Sequence, residues 1–419
     1  MAVTIDDIRN AARQLENRVV RTPSLASPAL SELCGADIVL KLENLQITGS
    51  FKPRGAFIKL AGLSDREKKA GVVAVSASNH AQGVAYHARD LGIQATIFMP
   101  EGTPFTKVGS TEALGARVVL SGAGLVEARA AAMEQCEAGG QVFVHPYDDE
   151  RVIAGQGTVG LELLNDVPDL DVLVVPVGGG GLLAGMAVAA KALKPDIEII
   201  GVEAALYPSM SQALGKVDVP PAPDTPATPG SGAGGHTIAE GIAVKVPGEL
   251  TRPVIGELVS DLVLVDETAL EMAVQTYLEA QCILTEGAGA ASLAAVMDNR
   301  ERFKGRKIGL VVSGGNMDSR LLSSILMRGL VREGRLVRLR IGITDIPGSL
   351  SRVTGLIGDH GGNIIEINHQ RLFYDIPVKQ TEVDVVLETL NANHVDEIKG
   401  ALIEAGFPAR LLGATSLAS

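Results

Sequence analysis

DVLVVPVGGGGLLAG, Asp171–Gly185, joins an apolar run to a glycine turn and then to a second apolar segment. Val172–Val177 is continuously apolar, as a strand buried on both faces must be. Gly178, Gly179, Gly180 and Gly181 follow, and Leu182-Leu183-Ala184 begins a helical pattern. Free amides at such a turn can curl around a phosphate. Outward from this unit, the same alternation runs from Leu60 to Val312. Val72–Val75, Ala95–Phe98, Arg117–Leu120, Gln141–Val144, Ile197–Val202 and Ile308–Val312 are the other predicted strands. This spacing predicts an α/β fold with doubly wound open sheets, which bind ligands at the carboxyl ends of their strands.

The chain of 419 residues is long enough for two or three domains, with 46% hydrophobic and 21% charged residues. A net charge of −12 argues against nucleic acid or an anionic membrane as the main partner. Cys34, Cys136 and Cys282 show neither metal-ligand spacing nor a disulfide framework, which points to a reducing compartment and a cytoplasmic location. The first residues predict a helix capped by Thr4, with Asp6 and Asp7 in its first turn, rather than a signal peptide. No apolar segment is long enough to span a bilayer. Val219–His236, rich in Pro, Gly, Ala and Thr, predicts a mobile surface loop.

The pattern changes near Gly334. Val337, Leu339, Ile341 and Ile343 alternate with polar residues as in a half-buried strand. DIPGSL (Asp345–Leu350) turns into a helix whose apolar face is Leu350, Val353, Leu356 and Ile357. Strands around Ile364–Ile367 and Val383–Leu387, a helix with Val395, Ile398 and Leu402, and a short strand near Leu411 complete a ferredoxin-like βαββαβ order.

Two further loops follow predicted strands. SASNHAQG (Ser76–Gly83) sets Ser76, Ser78, Asn79 and His80 at a helix start, where amides favour a carboxylate. SGGNMD (Ser313–Asp318) presents a hydroxyl at a strand end. Each has a plainer reading: helix capping for the first, a tight turn for the second. The glycine loop also has a rival in a dinucleotide site, with Glu203 as its ribose-binding acid, although its spacing is not G-x-G-x-x-G. Before them lies TGSFKPRGA (Thr48–Ala56), where Lys52 is hemmed in by Phe51 and Pro53. A lysine, a phosphate cup, an asparagine-bearing anion loop and a strand-end hydroxyl are together the parts needed to hold pyridoxal phosphate.

At this point the sequence resembles the threonine/serine dehydratases of the fold type II pyridoxal-phosphate enzymes. KLENLQITGSFKPRGA, SASNHAQGVA, HPYDDERVIAGQGT, VPVGGGGLLAG, GVEA and VSGGN occur in that family's order over the first four-fifths of the chain. The tail, with DIPGSL and GGNI, looks like an ACT domain. The resemblance implies a catalytic region over 1–332, with a small subdomain of about 52–145 inserted in the large one, and a regulatory domain over 335–419. It makes Lys52 the Schiff-base lysine and Asn79 the partner of the ring hydroxyl. Gly178–Gly181 with Leu182 become the phosphate loop and Ser313 the ring-nitrogen partner, and Phe51 joins the cofactor contacts. Ser76, Ser78, Asn79 and His80 fall in the loop that holds the substrate carboxylate.

The implied reaction is α,β-elimination from L-threonine, and from L-serine, to a 2-oxo acid and ammonia. Ala77 stands where related serine racemases carry a proton-moving serine, which favours elimination. No second carboxylate follows Glu203, so no metal is expected. An amino-acid effector is expected at Asp345, Pro347, Gly348, Leu350 and Asn363, in a homodimer or homotetramer. Serine or 3-hydroxyaspartate as the main substrate, and a nucleotide-binding dehydrogenase with an ACT regulator, are the alternatives.

Overall fold

The structure is a computed structural model that describes residues 3–216, 235–370 and 380–413. Nearly all of the predicted loop Val219–His236 (219–234) lies outside the described residues. The chain divides into two compact units, Met1–Met317 and Asp318–Ser419.

The first unit holds β1 (Ser24–Ala26), β2 (Asp37–Leu42), β3 (Val72–Val75), β4 (Ala95–Met99) and β5 (Arg117–Leu120). It continues with β6 (Val142–Phe143), β7 (Val172–Pro176), β8 (Glu198–Ala204), β9 (Asp261–Val265) and β10 (Lys307–Val312). One sheet has the order β1-β2-β10-β7-β8-β9 and the other β5-β4-β3-β6. Every pairing is parallel except β1 with β2. In register, Leu310 faces Leu40 on one side and Val174 on the other, so the centre of the large sheet is apolar on both faces. The core beneath it includes Ile153, Leu163, Leu173, Val175, Leu183, Met186 and Ile199. Ala56, Leu60, Val72, Ala74, Ala81, Val84, Ile97 and Met99 close the small sheet. The first helix, Ile5–Leu15, carries the expected cap: Thr4 and Asp7 form a reciprocal capping box.

β1, β2 and β9 were not among the predicted strands. Lys41 interrupts the apolar run of β2, yet it is fully buried, its Nζ donating to Glu162 Oε2 (2.6 Å) and Thr22 O (2.7 Å). A buried, paired lysine reads in sequence as a solvent-facing break. β9 is a half-exposed edge strand of five residues, and β1 has only three.

The second unit opens with a helix, Ser319–Arg332. β11 (Leu336–Thr344), β12 (Asn363–Gln370), β13 (Gln380–Glu388) and β14 (Ala409–Leu411) follow, with helices Ser349–Asp359 and Ala392–Glu404 between them. The sheet order β12-β13-β11-β14, all antiparallel, is that of a βαββαβ sandwich. Leu339, Ile341, Val353, Ile357, Val383, Val385, Ile398 and Leu402 form its core.

Candidate active site

Between β2 and the helix Lys52–Ala61, residues Thr48–Phe51 run beside Ser313–Asn316. Phe51 N donates to Ser313 O (3.1 Å), Gly315 N donates to Gly49 O (2.9 Å), and Ser50 bridges Gly314. Asn316 Nδ2 donates to Thr48 O (2.7 Å). Gly49 lies at φ 72°, and a Cβ there would stand 2.5 Å from Asn316 Oδ1, so this turn requires glycine. Phe51 caps the helix, and Pro53 sits in its first turn, where its missing N–H costs nothing. Lys52 is the first helical residue. Its Nζ donates to Pro146 O (2.9 Å) and lies 5.0 Å from the Phe51 ring centre. Burial lowers the amine to about 8, partly opposed by the charge of Glu286.

The glycine loop lies one residue from that acceptor. Tyr147, next to Pro146, packs its ring against Gly179 so closely that a Cβ there would overlap it, and its carbonyl and Cα crowd Gly181. A Cβ on Gly178 would meet Val244 Cγ2 at 2.9 Å. Gly180, at φ 96°, is the N-cap of helix Gly181–Leu193. Thr251 Oγ1 (2.7 Å) and Gly248 N (3.1 Å) donate to Gly179 O and hold the loop. Among the described residues, the amides of Gly178, Gly179, Gly180, Gly181 and Leu182 have no acceptor. Unpartnered amides at a helix start, in a cradle that any side chain would fill, suit a phosphate group.

The loop after β3 brings a second set of amides. Ser78 N donates to Ser76 Oγ (3.1 Å), which leaves the amides of Ala77, Asn79 and His80 without acceptors among the described residues. Ser78 is the N-cap of helix Asn79–Asp90, but its side chain makes no capping bond. The His80 ring is buried and bonded through Nε2 to Val144 O (2.9 Å). Burial first, then the charge of Lys52, lowers it to about 3, so the ring is neutral and donates that bond. His80 therefore offers this loop its backbone amide rather than its imidazole. Asn79 is buried; its Nδ2 donates to Glu286 Oε1 (2.7 Å) and its Oδ1 accepts from Asn316 Nδ2 (2.7 Å). Ser313 is buried at the end of β10.

Sequence reasoning missed Glu286 and Asn316. Glu286 follows a featureless segment and begins the Gly/Ala-rich helix Gly287–Asp298, so it reads as an ordinary first-turn acid. Burial raises its carboxyl to about 7, with the Asn79 bond and the charges of Lys107 and Lys52 opposing and Glu240 adding. Glu203, the ribose-binding acid of the dinucleotide rival, is fully buried. It accepts from Met210 N (2.7 Å), Ser211 N (2.9 Å) and Ser211 Oγ (2.5 Å). Both of its oxygens are occupied by the next helix start, so it cannot reach a ribose.

Residues 15–314 match the family described as pyridoxal-phosphate dependent enzymes, and residues 337–404 match the ACT domain. This chain belongs to the pyridoxal-phosphate dependent enzymes. An L-threonine ammonia-lyase of Thermotoga maritima is 44% identical over 98% of this chain and 100% of its own length. One from Geobacter sulfurreducens is 43% identical over 96% and 97%. Among solved structures, a maize serine racemase covers 79% of this chain and 99% of its own (TM-score 0.71, 35% identity). The processed form of threonine deaminase isoform 2 from Solanum lycopersicum covers 77% and 87% (TM-score 0.69, 33% identity). The cofactor of this pyridoxal-phosphate dependent enzyme is pyridoxal phosphate, and the glycine cradle beside Lys52 fits its phosphate. Gly179→Ala is expected to weaken pyridoxal-phosphate binding about 5- to 150-fold, from ~1–3 kcal/mol of overpacking against Tyr147. An absorbance titration measures it.

In the second unit, Asp345, Pro347 and Gly348 are exposed, and Gly348 caps helix Ser349–Asp359 at φ 90°. Leu350 packs against the core, and Asn363 Nδ2 donates to Glu388 Oε2 across the sheet (2.9 Å). Among the described residues no helix is long and apolar enough to cross a membrane.

Proposed function

We propose that this chain converts L-threonine to 2-oxobutanoate and ammonia, and L-serine to pyruvate and ammonia, with Lys52 as the catalytic residue. The observation that carries this reading is the Lys52 amine bonded to Pro146 O, next to the Tyr147 that packs on a glycine loop of unpartnered amides, with burial lowering that amine to about 8. Pyridoxal phosphate, when bound, supplies the electron sink for the α-carbon. Lys52 Nζ would hold its aldehyde carbon, Gly178–Gly181 and Leu182 its phosphate, Asn79 its ring hydroxyl and Ser313 its ring nitrogen, with Phe51 alongside. The amides of Ala77, Asn79 and His80, with the hydroxyls of Ser76 and Ser78, would hold the substrate carboxylate.

Lys52 Nζ, once free and neutral, takes the α-proton, and the β-hydroxyl takes up one proton from solvent and leaves as water. The released enamine takes up water and loses ammonia, so the net change is loss of ammonia alone. Ala77 packs its methyl against the small-sheet core and can move no proton, which supports elimination over racemisation. The full-length relatives named L-threonine ammonia-lyase support threonine as the substrate. Comparing kcat/KM for L-threonine, L-serine and threo-3-hydroxyaspartate tests this: threonine is expected to lead, and a lead for either of the others would overturn it.

The ACT domain supports control by an amino acid, and we place its site near Asp345, Pro347, Gly348, Leu350 and Asn363 and the enzyme in the cytoplasm as a homodimer or homotetramer. Titration calorimetry on the intact chain with isoleucine, valine and threonine is expected to show saturable binding of at least one. No heat from any of them would contradict the effector site.

A further inference from the structure

Glu286 occupies the N-cap position of helix Gly287–Asp298, yet its side chain makes no capping bond to that helix. An acid at an N-cap ordinarily accepts from the second or third amide of its own helix. Here the carboxylate turns away and accepts from Asn79 Nδ2 at 2.7 Å. Its placement is stiff. Glu286 N donates to Gly314 O (3.1 Å), and Thr285 Oγ1 donates to the same oxygen (3.0 Å). A Cβ on Gly314 would stand 2.6 Å from Glu286 Oε1, and one on Gly241 would stand 3.2 Å from it, so two glycines make room for this carboxylate. On the other side of Asn79, Asn316 Nδ2 donates to Asn79 Oδ1 (2.7 Å) and to Thr48 O (2.7 Å). The bonds form one relay, Thr48 to Asn316 to Asn79 to Glu286.

An asparagine amide has two donor hydrogens and one acceptor oxygen, and its flip decides which edge faces which neighbour. Glu286 can accept from the NH₂ edge, and Asn316 can donate to the oxygen edge. With both in place only one flip satisfies the relay, and one Asn79 N–H remains without a protein acceptor among the described residues. We propose that Glu286 is a positioning residue that, with Asn316, locks the Asn79 amide so that this N–H is kept for the cofactor. The proposal rests on the reading of Asn79 as a cofactor contact and adds the device that orients it. The groups facing Glu286 are Asn79, Glu240, Lys107 and Lys52. With its carboxyl near 7, both protonation states are populated at neutral pH, and each offers Asn79 a lone pair.

Pyridoxal-phosphate affinity, titrated by absorbance for the wild type, N79A, E286A, E286Q and the N79A/E286A double variant, tests this. N79A and E286A are each expected to weaken binding about 10- to 100-fold, the range for a buried hydrogen bond to a charged group. The double variant is expected to be no weaker than N79A alone to within about twofold, because both remove one interaction. E286Q keeps an acceptor oxygen and is expected to bind within about threefold of the wild type. Wild-type affinity in E286A, or additive losses in the double variant, would overturn the proposal. Wild-type affinity in N79A would overturn the reading of Asn79, and the proposal with it. If E286A does not fold, as read by thermal unfolding, N316D decides. It sets an acceptor against Asn79 Oδ1 and is expected to weaken binding about 10-fold, and unchanged affinity there would refute the relay.

Discussion

Replacing Lys52 with alanine is expected to lower threonine turnover about 1,000-fold or more, the scale for losing a positioned base, and to leave the fold intact. The side chain is half-buried at a helix start and its hydrogen bond goes to a backbone carbonyl, Pro146 O, while Glu286, the buried acid that feels its charge, sits near 7 and can take up a proton when the cation is lost. A 2-oxobutanoate assay reads the loss, and unchanged thermal unfolding separates it from misfolding. The pH dependence of the amine follows from its burial. In the cofactor-free chain, Lys52 is protonated below about pH 8 and neutral above it. Its reaction with an amine-selective acylating reagent is expected to rise with pH and reach half its maximum near that value. A half-maximum near 10, as for a solvated lysine, would contradict the site.

The largest expected effect on stability lies two residues further on. Arg54 is fully buried, and its guanidinium spans two carboxylates. Nε and Nη2 donate to Glu43 (both 2.8 Å), and Nη1 and Nη2 donate to Glu162 (2.7 and 2.9 Å). Nη1 also donates to Thr158 Oγ1 (3.1 Å). Lys41 joins through Glu162, so two cations offset two anions. Arg54→Ala would leave those two carboxylates with one cation, Lys41, on Glu162, and Glu43 with the Thr22 hydroxyl. The expected cost is about 3–5 kcal/mol, as for breaking a buried pair by removing one partner. Denaturant unfolding of the full chain measures it, and a loss under about 1 kcal/mol would show that water reaches the cluster in the native state. The Arg54 region also meets the helix Glu150–Asp166 backbone to backbone: a Cβ on Gly155 would stand 2.6 Å from Gly55 Cα.

Much of this was legible because two periodicities dominate the chain. The continuous apolar runs of β3, β4, β7, β8 and β10 announce strands buried on both faces, and the alternation through β11 announces one buried on a single face. The glycine run could be read as an anion cup because consecutive glycines leave little else for the backbone to do there. What escaped was set by tertiary partners. Lys41 looked like a break in a strand because its acceptors, Thr22 and Glu162, are remote in sequence. Glu286 looked like a first-turn acid because its partner, Asn79, lies 207 residues away. His80 could be placed in the carboxylate loop, but only Val144, on the strand-end side of the small sheet, shows where its ring goes. Nothing around Arg54 in the sequence points to Glu43 and Glu162, 11 and 108 residues away, as its partners, so that cluster required the fold.

Borohydride reduction of the full chain loaded with pyridoxal phosphate, followed by peptide mass mapping, tests the central claim most directly. A pyridoxyl group on the peptide that carries Lys52, and its loss in Lys52→Ala, is the predicted result. A pyridoxyl group on another lysine, or none on a chain that still turns over threonine, would contradict it.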